Sequence, residues 1–144
     1  AAAYANQLRT IALMLLRPFD SAPANVARIE AEWETLAVRV VERNAKARWL
    51  HEQLSDLPLE LPEMREGDAI WRYTITAPTI ALTRRIMHGL QRAGLSGSGL
   101  YYPLSALFGK KHRLTNCLVN LWVDATTTED HLRRTVEVIR AALG

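Results

Sequence analysis

The sequence has a single cysteine, Cys117, so no disulfide can form within the chain. Cys117 lies in an apolar run, which predicts a buried structural thiol. The four histidines are scattered and form no cluster with the cysteine, so we expect no metal site. The longest apolar run, Ile11–Leu16, is far shorter than the roughly 20 residues that a membrane-spanning helix needs. Without such a run or a recognisable signal peptide, we expect a cytoplasmic protein with no membrane partner.

Lysine is also scarce, because only Lys46, Lys110 and Lys111 stand among the 18 basic residues. The arginines are interleaved with glutamates and spread over several segments, whereas a nucleic-acid interface gathers basic residues on one face or in one run. We therefore expect a mixed-charge surface and no nucleic-acid partner.

The length of 144 residues is enough for one hydrophobic core. Residues 1–23 are predicted to be an N-terminal helical segment, because Tyr4, Leu8, Ile11 and Leu15 repeat at helical spacing. Residues 24–144 are predicted to form the domain itself. The chain begins with Ala1 rather than methionine, as expected of a processed start or of a piece of a longer protein.

The domain is predicted to open with one long helix over residues 24–54. Its apolar stripe holds over about seven turns and is interrupted at Asn44. The stripe consists of Ile29, Trp33, Leu36, Val40, Ala47, Leu50 and Leu54. A helix of this length exceeds the usual size and typically bridges two bodies or packs along a partner.

Alternating and helical patterns follow one another along the rest of the chain. The first predicted elements are a strand over 69–76, with Trp71, Tyr73 and Ile75 on one side, and a helix from Pro78–Thr79 to Gly94. A turn over 96–99 and a short aromatic strand over 100–103 are predicted to follow. The last two elements are a strand over 117–123 and a helix over 129–143 that is capped by the threonines before it. The histidines of the helices, His51, His88 and His131, stand beside arginines and are expected to be solvated. The predicted fold is α+β, a small sheet with helices packed on one face, preceded by a long connecting helix.

Catalytic patterns are missing from the sequence. No serine or cysteine stands in a nucleophile motif, and the stretch Gly94–Gly99 lacks the spacing of a phosphate-binding loop. Two segments remain as candidates for binding. Tyr101, Tyr102 and Pro103 either line the mouth of a pocket or pack one tyrosine into the core. The basic loop from Lys110 to Arg113, with His112, either contacts an anion or is an exposed loop.

Three motifs in fixed order carry a resemblance to a known family. They are Trp71–Ile75, the helix end Leu90–Leu95, and Tyr101–Leu104. Together with the strand ending at Val123 and the terminal helix, they resemble the C-terminal small domain of DegT/StrS-type nucleotide-sugar aminotransferases. The long helix is similar to the helix that connects the two domains in that family. The resemblance covers the chain from about Ala24 to its end.

The resemblance implies a fold-type I enzyme that uses pyridoxal phosphate (PLP) to move an amino group from an amino acid such as glutamate to a keto-sugar nucleotide. It also implies that the Schiff-base lysine and the other cofactor contacts belong to a large domain, because none of the three lysines here lies in the family's lysine motif. We expect no catalytic residue, no cofactor and no metal on this chain alone, the large PLP-binding domain as its partner, and a homodimeric parent enzyme.

The resemblance also marks a candidate substrate site. Tyr101–Pro103 matches the family's His-Tyr-Pro segment, with tyrosine where the family often has histidine. The expected substrate-binding residues are Tyr101, Tyr102, Lys110, His112 and Arg113. The alternative function is a stand-alone α+β protein-interaction or regulatory module that keeps the same architecture.

Overall fold

The structure is a computed structural model that describes residues 23–100 and 116–144. The chain divides into two compact units, residues 1–36 and residues 37–144, and each is described by itself. The predicted helix within residues 1–22, the aromatic strand after residue 100 and the basic loop lie outside the described residues. The predicted domain boundary after residue 23 stays a prediction.

The long helix α1 spans Pro23–Leu54, close to the predicted extent. Among the stripe residues whose side chains the structure describes, full burial is confined to the C-terminal end, where Ala47, Leu50 and Leu54 lie in the core of the second unit. In the first unit Trp33 is 73% exposed, so this tryptophan is an apolar surface residue of the described chain.

Three short strands form one antiparallel sheet: β1 (Tyr73–Thr76), β2 (Gly97–Gly99) and β3 (Leu118–Leu121), in the order β1-β3-β2. Tyr73 pairs with Leu121, and Ile75 pairs with Val119. All four side chains are buried, because alternate residues of paired strands point to the same face.

Strand β2 corrects the sequence prediction, which placed a flexible turn at residues 96–99. Glycine disfavours strands, and the pattern gave no sign of pairing. The pairing with β3 nevertheless requires glycine, since a Cβ atom on Gly99 would lie 2.7 Å from the main-chain oxygen of Leu118.

The helices α2 (Ile80–Arg92) and α3 (Glu129–Leu143) begin where their caps predicted. The side chain of Thr79 accepts a hydrogen bond from the amide of Leu82, and that of Thr128 accepts one from the amide of His131. Gly94 has a φ of 68°, the left-handed conformation expected after a helix end. Caps are local signals, which explains why they could be recognised in the sequence.

One hydrophobic core joins the helices to the inner face of the sheet. Its helical members are Ala47, Leu50 and Leu54 of α1, Leu82, Ile86 and Leu90 of α2, and Leu132, Val136 and Ile139 of α3. The predicted α+β fold is confirmed. Cys117 is buried as predicted. No helix of the described residues is long and apolar enough to cross a membrane.

Two predictions about single side chains are wrong. Trp71 was expected on the same side of a strand as Tyr73 and Ile75, but it is 65% exposed, because β1 begins only at Tyr73. His51 is half-buried rather than solvated, and its Nδ1 atom lies 3.0 Å from the hydroxyl of Tyr73. The hydrogen bond supplies a polar partner for a tyrosine that is otherwise enclosed by apolar side chains.

Candidate functional site

All five predicted substrate-binding residues lie outside the described residues: Tyr101, Tyr102, Lys110, His112 and Arg113. Their role stays a prediction. The structure describes the residue that leads into this segment, Leu100, which is 42% exposed and has a φ of 57°. A leucine in this left-handed region is strained, so the chain leaves β2 through a residue that the surrounding structure holds in place.

A stack of arginine and tryptophan side chains, which the sequence patterns did not predict, lies on the outer side of the sheet. The guanidinium carbon of Arg72 lies 3.7 Å from the ring centroid of Trp122 and 4.8 Å from that of Trp71. Arg72 precedes β1 and Trp122 follows β3, so the pairing of Tyr73 with Leu121 brings them together. The alternation in both strands was visible in the sequence, but the register was not.

Asp124 lies beside the arginine of this stack. Its Oδ2 atom lies 3.7 Å from a terminal nitrogen of Arg72, and its Oδ1 atom accepts a hydrogen bond of 3.0 Å from the amide of Thr126. Burial raises the pKa of Asp124, but the hydrogen bonds from Thr126 and Thr127 and the charge of Arg72 outweigh burial and lower the pKa below its ordinary value. Asp124 is therefore held as an anion beside the guanidinium.

Helix α1 supports the stack from its other end. The guanidinium carbon of Arg43 lies 5.1 Å from the ring centroid of Trp71. The side chain of Asn44, the predicted interruption of the stripe, donates a hydrogen bond to the main-chain oxygen of Asp68 and accepts one of 3.2 Å from the amide of Ile70. Asn44 thus binds the segment before Trp71 to helix α1 through two hydrogen bonds. This role explains why a polar residue interrupts the apolar stripe of the helix.

The described residues do not fit a PLP site. Lys46 is the one lysine among them, and its ammonium group donates a 2.7 Å hydrogen bond to the main-chain oxygen of Asp124. This hydrogen bond joins α1 to the segment that follows β3. The same part of the chain contains no group of histidine, cysteine or acidic side chains that could hold a metal ion.

The fold is similar to part of several solved aminotransferases. The aminotransferase TlmJ from Streptoalloteichus hindustanus superposes with a TM-score of 0.68 at 17% identity, over 79% of this chain and 34% of that one. A DegT DnrJ EryC1 StrS aminotransferase from Brucella abortus gives 0.65 at 22% identity, over 79% and 34%. PseC from Helicobacter pylori, an aminotransferase involved in the biosynthesis of pseudoaminic acid, gives 0.66 at 13% identity, over 78% and 35%.

The chain thus spans about a third of the length of these enzymes. No protein-family profile matches the sequence. No curated protein matches it either. At these identities the likeness establishes the fold, and it confirms at that level the resemblance to DegT/StrS-type aminotransferases that the motifs indicated.

Proposed function

We propose that this chain is the C-terminal small domain of a PLP-dependent aminotransferase that acts on a keto-sugar nucleotide. The observation that carries the proposal is the fold, which matches about a third of each of several aminotransferases over nearly four fifths of this chain. The three sequence motifs support the same family independently of the fold, because they lie along the chain in the family's order.

The proposed role of the chain is binding and positioning rather than chemistry. When bound, PLP supplies the electron sink for amino transfer, and we assign it to a large domain outside this chain. The first described range, residues 23–100, ends directly before the segment that contains the predicted substrate-binding residues. We propose that Tyr101, Tyr102, Lys110, His112 and Arg113 contact the substrate from that segment.

Exposed apolar side chains on α1 support the proposal that a large domain packs against this chain. Within the second unit, Val38 and Val41 are 61% and 68% exposed. Apolar side chains concentrated on one helix are typical of a surface that a partner covers. The parent enzyme is proposed to be a cytoplasmic homodimer whose second subunit completes the site.

The coding sequence upstream of Ala1 provides the first test. We expect an open frame that encodes a product about three times as long as this chain, judged by the share of the similar enzymes that it spans. The purified product should bind PLP through a lysine outside this chain and transfer an amino group from glutamate to a keto-sugar nucleotide. Replacing Tyr102 by phenylalanine should raise KM for the sugar nucleotide more than it lowers kcat.

The same experiment separates the alternative, a stand-alone interaction or regulatory module. A start codon directly before Ala1, together with a purified chain that captures a specific protein partner, would support the module and refute the aminotransferase assignment. A full-length product that contains a PLP lysine but transaminates no keto-sugar nucleotide would retain the domain assignment and reject the substrate class.

A further inference from the structure

The outer surface of α2 is basic and lacks compensating carboxylates. The helix contains no acidic residue, and four basic side chains are exposed on it: Arg84, Arg85, His88 and Arg92. None of the three arginines forms an ion pair within the described part of the chain. On α3, by contrast, each arginine pairs with a carboxylate: Arg133 with Glu129, Arg134 with Asp130, and Arg140 with Asp56.

Part of this basic surface lines a groove. Arg84, His88 and Gln91 follow one another at helical spacing and border an open groove of about 500 Å³. Ser96 and Trp122 also line it, and none of its described lining residues is acidic. The groove therefore presents several hydrogen-bond donors and positive charge to one concave space.

Trp122 lines the groove and has an unusual N–H group. Its Nε1 atom is buried and has no hydrogen-bond partner among the described residues. The ring cannot easily rotate to expose this N–H group to solvent, because the guanidinium carbon of Arg72 lies 3.7 Å from the ring centroid. Buried N–H groups are nearly always paired in folded proteins, so this unpaired group is an exception, and it belongs to a ring that lines the groove.

We propose that this groove binds the phosphate group of a small phosphorylated molecule. A phosphate offers several anionic oxygens, which can accept hydrogen bonds from the guanidinium of Arg84, the amide of Gln91 and the hydroxyl of Ser96 together. Apolar side chains of the groove, Met87 and Leu100, would contact the remainder of the ligand. The site goes beyond the proposed function, since none of these residues belongs to the predicted substrate-binding set.

Nuclear magnetic resonance of the 15N-labelled chain tests the proposal directly, because its four tryptophans give four indole N–H signals. Inorganic pyrophosphate is the probe, and Trp122→Phe assigns the signal. We expect a saturable shift of the Trp122 signal while that of Trp49, on α1, stays in place. Arg84→Gln, an exposed substitution, should weaken pyrophosphate binding about tenfold. Arg133→Gln on α3 is the matched control and should leave it unchanged.

Further probes define the outcomes that overturn the proposal. No saturable shift of the Trp122 signal, or equal weakening by Arg84→Gln and Arg133→Gln, would show that pyrophosphate does not occupy the groove. Citrate binding as tightly as pyrophosphate would show a general attraction for anions. An oligonucleotide that binds far more tightly, with a steep loss of affinity in salt, would assign the basic surface to nucleic acid instead. The backbone spectrum of each variant verifies that it is folded.

Discussion

The central carbon of the Arg72 guanidinium lies 3.7 Å from the ring centroid of Trp122. The two residues are joined by the register of β1 and β3, and Asp124 lies beside the same guanidinium at 3.7 Å. The contact orders the outer side of the sheet, where Trp71 continues the stack. It also fixes the indole that borders the proposed phosphate groove, so the two features depend on one arginine.

Replacing Arg72 by alanine should lower the free energy of unfolding by about 1–2 kcal/mol. The side chain is only 17% exposed, so both the stacking with the tryptophans and the packing of its stem are lost. Arg72→Lys should recover part of the loss, because an ammonium group keeps the charge but not the planar stacking. Urea denaturation measures both changes.

The control for Arg72 is Arg133, whose side chain is 67% exposed and pairs with Glu129 along one helix. Arg133→Ala should change the free energy of unfolding by no more than about 0.5 kcal/mol. An Arg72→Ala variant as stable as Arg133→Ala would mean that the stack contributes nothing to folding.

Gly89 is expected to be essential for the contact between α2 and α3. Alanine usually stabilises a helix relative to glycine by about 1 kcal/mol. Here a Cβ atom on Gly89 would lie 2.8 Å from Cγ1 of Val138, so we expect Gly89→Ala to destabilise the fold by about 1–3 kcal/mol. Val138→Ala in the same chain should recover much of the loss in a double-mutant cycle. Additive effects of the two substitutions would contradict the close contact.

The features that were predictable from the sequence are those set by neighbours along the chain. Thr79 and Thr128 cap helices through hydrogen bonds to residues three positions later, and the alternation around Val119 follows from the strand itself. Strand β2 forms through its pairing with β3, and a glycine-rich segment gives no sequence signal for such pairing. The contact of Arg72 with Trp122 depends on strand register, a property that no single segment encodes.

Tyr73→Phe should cost about 0.5–1.5 kcal/mol of unfolding free energy, because the hydroxyl loses its 3.0 Å hydrogen bond to His51 while the ring stays buried. Thermal unfolding at neutral pH measures the change. His51→Phe tests the other partner, and a Tyr73→Phe chain as stable as the parent would mean that the hydrogen bond and the burial of the hydroxyl offset each other.

Tyr73 should also make the chain sensitive to alkali. Burial raises its pKa from 10.0 to about 12, so between these values the folded chain holds a proton that the unfolded chain has released. Stability from the neutral phenol is therefore fully present below pH 10 and is lost as the pH rises through 12. Denaturation of the parent and Tyr73→Phe across this range should show a steeper decline for the parent. Parallel curves would contradict the raised pKa.

The ion pair of Asp56 with Arg140 should act at the opposite end of the pH scale. Two terminal nitrogens of Arg140 donate to the carboxylate at 2.9 Å and 2.8 Å, and these hydrogen bonds lower the pKa of Asp56 below its ordinary value of 3.8. The folded chain then binds a proton less readily than the unfolded chain, so the contribution is present above 3.8 and is lost as the pH falls through the folded value. Asp56→Asn should therefore be less stable than the parent at neutral pH and equal to it in strong acid. Added salt should reduce the difference in stability between the two chains at neutral pH. Melting temperatures of both chains across this range measure the effect, and a gap that persists unchanged in acid would show that the ion pair is not its cause.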